Sequence, residues 1–315
     1  AIAALHRVRP DWRLAIVTQR EHEPLLVGLP AVARVVGLDR RGGPRAFLAL
    51  RAELRRERYD VAVDLQGNWK SAFVTWLSGA RDRLGAAKSW RREPTSRVLL
   101  RRTVAIDGPD HPARIAHALV RELAADAPFA APHLIATSAE IATERAALAA
   151  AGVDADRPFR IVVVTDPRDP RALRPAMLAA ESAGAEGPVV HLFGPAEPGG
   201  VERELAVAGV AVLRHGRGEV RRLVALGAIV AAAGGVVIGP DQGASHVLAA
   251  AGADCRVLFG AQDPRRTAPV GATALVHPSP PSCSPCRARR CSHERGPVCM
   301  DFRVADGREV PFSPP

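Results

Sequence analysis

Long hydrophobic runs are missing from this chain. No stretch reaches the roughly 18 apolar residues that a membrane-crossing helix needs, so no spanning segment is expected. Aromatic residues make up only 4% of the 315, and none interleave with the basic cluster at Arg287, Arg289 and Arg290, so no nucleic-acid partner is expected there. The opening residues have no basic start, apolar stretch and small-residue cleavage site of the signal-peptide kind. Four of the five cysteines fall in one late segment, unlike the spread framework of a small secreted domain, and a reducing interior is expected. What remains is a globular composition, 47% apolar and 24% charged, long enough for two domains. The net charge of +10, in which arginine far outnumbers lysine, favours anionic partners such as nucleotide phosphates, acidic sugars or a membrane surface.

The first half alternates short apolar runs with helical periodicity. Helices are expected over 1–9, 23–29, 45–58 and 111–123, and strands over 14–18, 32–38 and 61–65. Opening on a helix, the chain lacks the strand with which such an αβ unit begins, and a fragment is expected. Asp64-Leu65-Gln66-Gly67-Asn68-Trp69-Lys70-Ser71 stands where a strand end meets a helix start. Lys70 could meet an anion there, or Asp64 could simply cap a helix and Lys70 be solvated. Residues 81–102 are strongly basic. Within them Trp90-Arg91-Arg92-Glu93-Pro94 combines guanidinium groups and a stiff turn suited to carboxylates or phosphates, although charge runs are usually solvated faces.

A linker is expected over 152–158, after a helix at 138–151, and a second αβ unit starts at the apolar strand 159–165. Strand ends at Thr165, Phe193, Ile238 and Phe259 can all send loops to one face of a parallel sheet. The strongest is Val236-Val237-Ile238-Gly239-Pro240-Asp241-Gln242-Gly243, leading into a small-residue helix that carries His246. Unpaired N–H groups and the helix dipole favour an anion at such a junction. Gly243 would let a phosphate approach, and Asp241 could hold a sugar hydroxyl or serve as N-cap. Cys283-x2-Cys286-x4-Cys291-x7-Cys299 places four thiols where one tetrahedral zinc could sit, with His293 in reserve, or where free thiols could stand.

On these residues the chain resembles the ADP-heptose:lipopolysaccharide heptosyltransferases. The resemblance rests on residues 59–71, Arg92-Glu93-Pro94, residues 239–246, Phe259-Gly260-x-x-Asp263-Pro264 and the cysteine segment. It implies an α/β, GT-B fold of two Rossmann-like doubly wound domains facing across a cleft. The expected divisions are 1–152 for the acceptor, 158–277 for the nucleotide sugar and 278–315 for the Cys-rich segment and tail. It implies inverting transfer of heptose from ADP-L-glycero-D-manno-heptose to the lipopolysaccharide inner core, at the cytoplasmic face of the inner membrane, in peripheral contact with that surface. No cofactor is required beyond a possible structural zinc on Cys283, Cys286, Cys291 and Cys299. Donor contacts would fall on Asp241, Gln242, Gly243, His246, Arg171, Arg174 and Glu197, the last for the ribose. Acceptor contacts would fall on Asp64, Gln66, Lys70, Arg91 and Arg92.

Three departures accompany the resemblance. The family's base-bearing Ser-x-x-Gly-Asp loop has no counterpart and is expected upstream of Ala1, so the chain alone is expected to be inactive. Gln242 replaces a threonine, and Arg171-Ala-Leu-Arg174-Pro175 stands where the family carries Lys-x-Trp-Pro. The alternatives are a homologue using another nucleotide sugar or only binding one, and, in another class, a zinc-dependent nucleic-acid module built on the cysteines.

Overall fold

The runs 161–163, 236–240 and 257–259 carry no polar side chain, so a strand made from them must be covered on both faces. That requirement shapes the second half of the molecule. The computed structural model describes residues 1–312 apart from Val27, Arg40, Asp107, Pro109, Asp110, 196–198 and Ala208, together with the backbone but not the side chains of 199–201 and Glu204. It divides into two compact units, Ala1–Ala130 and a second from Ala131 onward.

The first unit runs α1 (Ile2–Val8), β1 (Ala15–Gln19), β2 (Arg34–Leu38), α2 (Gly43–Glu57), β3 (Val61–Asp64), α3 (Trp69–Leu77), β4 (Asp82–Ala86), β5 (Arg102–Val104) and α4 (Pro112–Arg121). β1 pairs with β2, and β3, β4 and β5 pair in that order, all in parallel. Leu50 and Leu54 of α2 pack with Val36 and Leu77, while Ala4 and Leu5 of α1 pack with Val120 and Ala124. The short helix expected over 23–29 is instead a 3-10 turn over Arg20–Leu25; Pro24 within it has no N–H to give to an α-helical ladder. β4 and β5 lie inside the basic stretch, where charges such as Asp82 and Arg102 conceal the strand pattern by pairing with each other across the sheet.

The second unit contains α5 (Ser138–Ala150), β6 (Arg160–Val163), α6 (Pro175–Ala183), β7 (Val189–Phe193), α7 (Gly199–Val207), β8 (Ala211–Arg214), α8 (Val220–Ala232), β9 (Val236–Pro240), α9 (Gly243–Ala250), β10 (Asp254–Phe259), α10 (Pro264–Thr267), β11 (Thr273–Val276) and β12 (Arg308–Val310). Its seven strands lie in the order β12-β11-β10-β9-β6-β7-β8, parallel except for β12 at the edge. Successive side chains point to opposite faces. Ile161, Val163, Val237, Val257 and Phe259 meet Leu148 of α5, Leu226 and Ile229 of α8 and Leu248 of α9. Val162, Ile238, Leu258 and Leu275 meet Met177 and Leu178 of α6 together with Cys299, Met300 and Phe302. The fold class is thus α/β with a doubly wound parallel sheet.

Two boundaries differ from those expected. The units part after Ala130, not after 152, because α5 is bound to α8. Thr137 and Glu140 close a capping box at the start of α5, and Arg221 of α8 donates to both Glu140 oxygens at 2.7 and 2.6 Å. Buried Glu144 accepts from Arg222 at 2.7 Å and lies 2.8 Å from His215 Nε2. Such partners lie about 80 positions apart and leave no local signal. Likewise the segment after 277 is not a separate appendage, since Met300 and Phe302 complete a core.

The hydrogen bonds from Arg221 hold the Glu140 carboxyl at about 2, below its ordinary 4.5. A depressed acid contributes stability that is whole above its unfolded pKa and is lost as pH falls through the folded value. Thermal melts of the wild-type chain should therefore decline between about pH 4.5 and 2. Arg221→Gln should flatten that decline and cost about 1 kcal/mol at neutral pH, as suits a partly exposed pair.

Candidate active site

Strand order reverses beside β6. The chain builds β6, β7 and β8 in one direction, then β9 returns to the opposite side of β6. Loops leaving β6 and β9 therefore diverge from the same edge and leave a crevice at the carboxyl ends of the strands. Two hydrogen bonds span it: Thr165 Oγ1 donates to Gln242 Oε1 at 2.9 Å, and Arg171 Nη1 donates to the Asp241 carbonyl at 2.7 Å. Directly above stands the amino end of α9, whose N-cap residue Gln242 makes no capping bond. A Cβ added at Gly243 would meet nothing within 4 Å, so the first turn of α9 opens into free space. An open helix start of this kind suits an anion.

Asp241 is 7% exposed. Its Oδ2 accepts from Thr267 Oγ1 of α10 at 2.8 Å, and its Oδ1 lies 3.2 Å from His246 Nε2. The carboxylate thus fixes α10 and orients an imidazole that is itself 44% exposed. Arg171 is gripped by Asp169 through bonds of 3.0 and 2.7 Å, which raise the guanidinium pKa further and lower that of the carboxyl. Asp263 begins α10 by accepting from the Arg265 N–H at 3.0 Å. Burial pushes its carboxyl pKa up, but the bonds from Arg265 outweigh that and lower it. Thr165, Asp169 and Thr267 were not singled out in the sequence. Only the recurrence of strand ends on one sheet edge hinted at Thr165.

The predicted donor residues therefore divide. Asp241, Gln242, Gly243, His246 and Arg171 come together around the α9 start. Arg174 points elsewhere, forming an ion pair with Asp301 and reaching the Arg295 carbonyl at 3.4 Å. The side chain expected to replace a phosphate-binding lysine is thus tied to the C-terminal segment. Glu197 lies outside the described residues.

In the first unit, Asp64 and Arg91 do not face an acceptor as expected. They face each other, both side chains 0% exposed, with Nη2 donating to Oδ2 at 2.5 Å. Asp64 Oδ1 also accepts the Gln66 and Gly67 N–H groups, and Arg91 donates to Ser96 Oγ. Gly67, at φ +66°, lets the loop lie against Arg91, whose Cα would stand 3.1 Å from an added Cβ. Charge-to-charge burial has claimed the two residues whose types looked most ligand-like. Gln66, Lys70 and Arg92 remain exposed on that scaffold.

The four late cysteines and His293 line one small cavity of about 10 Å³. Cys283, Cys286 and Cys291 are exposed, and Cys299 is buried. Burial, then the three neighbouring sulfurs, pushes the Cys299 thiol up to about 11. Among the described residues no group of three or more His, Cys, Asp or Glu is arranged as a metal site. The segment packs hard on the β10 loop: a Cβ on Gly260 would stand 2.7 Å from Cys299 Sγ, Ser284 Oγ donates to the Gly260 carbonyl at 2.8 Å, and Arg287 N donates to the Ala261 carbonyl at 2.7 Å. Cys255 is buried in the sheet, its thiol pushed up to about 12 by that burial.

A crevice at a strand reversal in a doubly wound sheet fits the fold of a glycosyltransferase of the GT-B class. Residues 47–296 match the model of glycosyltransferase family 9 (heptosyltransferase), and the chain belongs to that family. No curated protein matches the sequence. Among solved structures, the ADP-heptose LPS heptosyltransferase II of E. coli is 19% identical, with a TM-score of 0.69 over 97% of this chain and 90% of that one. E. coli heptosyltransferase WaaC, solved with ADP-2-deoxy-2-fluoro heptose, is 19% identical, with a TM-score of 0.66 over 88% of each chain. The family 9 glycosyltransferase of Veillonella parvula is 16% identical, with a TM-score of 0.72 over 87% of this chain and 80% of that one.

Removing a partner from a buried ion pair leaves an uncompensated charge. Arg91→Met is expected to destabilise the first unit by about 3 kcal/mol. Lys70→Ala should change stability by no more than about 0.5 kcal/mol, as at other surface positions. Urea denaturation compares the two.

Proposed function

We propose that the second unit binds ADP-L-glycero-D-manno-heptose, and that the enzyme transfers the heptose to an acidic sugar of the lipopolysaccharide inner core. The carrying observation is the open start of α9 at the strand reversal, bracketed by the Thr165–Gln242 and Arg171–Asp241 bonds. In this reading the diphosphate sits at the first turn of α9. As the bond from the anomeric carbon to the diphosphate breaks, negative charge grows on the ADP leaving group. It is met by backbone N–H groups, by the Arg171 guanidinium and by the exposed edge of His246. Asp241 acts through others: it positions His246 and pins Thr267, and so gives the imidazole a fixed place. The transfer calls on no cofactor for these tasks.

The acceptor reading assigns Gln66, Lys70 and Arg92 to the anionic core sugars, with the Asp64–Arg91 pair tying the loop before α3 to the turn that carries Arg92. A planar guanidinium in the turn after Trp90 and an ammonium on the first turn of α3 suit carboxylate-bearing sugars. The WaaC structure with a fluorinated ADP-heptose supports an adenine nucleotide as donor.

Titration calorimetry tests the donor site directly. The chain should take up ADP in preference to UDP and GDP. His246→Ala should weaken ADP binding about tenfold, or about 1.4 kcal/mol, with the melting temperature unchanged because the side chain is half exposed. Unaltered ADP affinity in that variant would remove His246 and the α9 start from the site. Equal affinity for the three nucleotides would remove the adenine assignment.

A further inference from the structure

The late cysteines have no part in the crevice chemistry. All four are free, they line one small cavity, and among the described residues they are not arranged as a metal site. Exposure separates them. Cys299 is buried against Gly260, whereas Cys283, Cys286 and Cys291 are open to reagents in solution. Accessible thiols around one space can cross-link, provided that the chain holds a pair of them together.

Between β11 and a 3-10 turn at Val298–Met300 the chain forms no helix or strand, so single hydrogen bonds set its course. Ser284 Oγ donates to the Gly260 carbonyl at 2.8 Å, and Arg287 N donates to the carbonyl of the next residue, Ala261, at 2.7 Å. Ser284 N also donates to the Pro281 carbonyl at 2.9 Å, which closes a turn just before them. Two anchors three positions apart thus land on adjacent residues of the loop after β10. The stretch between them is compact, and Cys283 and Cys286, each one residue before an anchor, face the same cavity. Residues 288–292, which carry Cys291, have no hydrogen bond or ion pair among the described residues. The pair that the fold holds in place is therefore Cys283 and Cys286. Beside it Arg287, Arg289 and Arg290 are exposed, and their field draws anionic reagents. Glutathione disulfide is such a reagent, since its carboxylates outnumber its amines.

We propose that Cys283 and Cys286 form a thiol–disulfide exchange site for small disulfides of the glutathione class, and that their cross-link clamps the turn onto the loop after β10. The Cys286 thiolate attacks one sulfur of glutathione disulfide, and one glutathione leaves as its thiolate. The Cys283 thiolate then attacks the Cys286 sulfur of the mixed disulfide and expels the second glutathione. The protons given up by the two cysteines end on the two glutathiones, which also take the electron pair that the protein loses. The clamped loop leads to Asp263 and α10, whose Thr267 holds Asp241, and the cavity wall includes Pro170, the neighbour of Arg171. The redox state of the turn thus sets how firmly these loops are held. The evidence for this site is independent of the donor, and its test needs neither donor nor acceptor.

Incubation of the full chain with oxidised glutathione, followed by alkylation and mass spectrometry of tryptic peptides, tests the site. Peptide 267–287 contains Cys283 and Cys286 and no other cysteine. In the wild-type chain it should lose about 2 Da, the two hydrogens of the new disulfide, while Cys291 stays available to the alkylating agent. Cys283→Ser should trap the intermediate, and the peptide should gain about 305 Da as a glutathione adduct on Cys286. Cys291→Ser should leave the cross-link unchanged. Amide hydrogen exchange over 260–263 should slow at least about fivefold on oxidation, as local opening is restrained, and dithiothreitol should restore it. Three results overturn the proposal in the wild-type chain itself, whatever the variants do: a peptide 267–287 that stays reduced, a cross-link that runs to Cys291, or exchange that oxidation leaves unaltered. So does one zinc per chain in native mass spectra, released only when these thiols are alkylated.

Discussion

The reversal of strand order at β6 is the constraint on which the second unit depends. A parallel sheet buried on both faces can expose polar backbone only at its edges and strand ends. At most strand ends the next loop crosses over and closes the gap. Between β6 and β9 the loops part, and two side-chain hydrogen bonds join them. Thr165 reaches Gln242, and Arg171 reaches the Asp241 carbonyl. The same few contacts that prevent collapse leave the first turn of α9 facing outward.

Arginine dominates the charge of this chain, yet much of it is directed inward. Arg91 is sealed against Asp64, Arg174 is tied to Asp301, and Arg221 and Arg222 fasten α5 to α8. A guanidinium is suited to this because its planar fork satisfies two acceptors at once. Net charge is therefore a poor guide to where anions bind.

Legibility in the sequence followed the range of the interactions. The runs 189–193 and 236–238 announce themselves as strands, because burial on both faces writes apolar residues at nearly every position; β9 in fact continues through Gly239 and Pro240, which read as a turn. The strand-turn-helix at Asp241 was legible for the same reason, with small residues marking close approach. β4, β5, β11 and α6 were not, since their patterns are broken by charged or small residues whose partners lie far along the chain. Arg91 shows the sharpest failure. Two arginines side by side in a stiff turn look equally fit for a ligand, and only the register that brings Asp64 beneath the turn separates the buried one from the exposed Arg92. The seat of α5 on the second unit was hidden in the same way, in pairs formed between residues about 80 positions apart.

The C-terminal return has a consequence for the order in which the protein is made. Met300 and Phe302 cover Val162 and Ile238, and Asp301 holds Arg174, which was synthesised 127 residues earlier. One sheet face of the second unit therefore stays only partly covered, by α6, while the ribosome is still translating it. Contacts of such long range close late, and exposed apolar strands in the interval invite chaperones or self-association. Residues 299–302 reach that face only after they have left the exit tunnel, so a chain stopped before them yields a sheet without part of its cover and not merely a shorter enzyme.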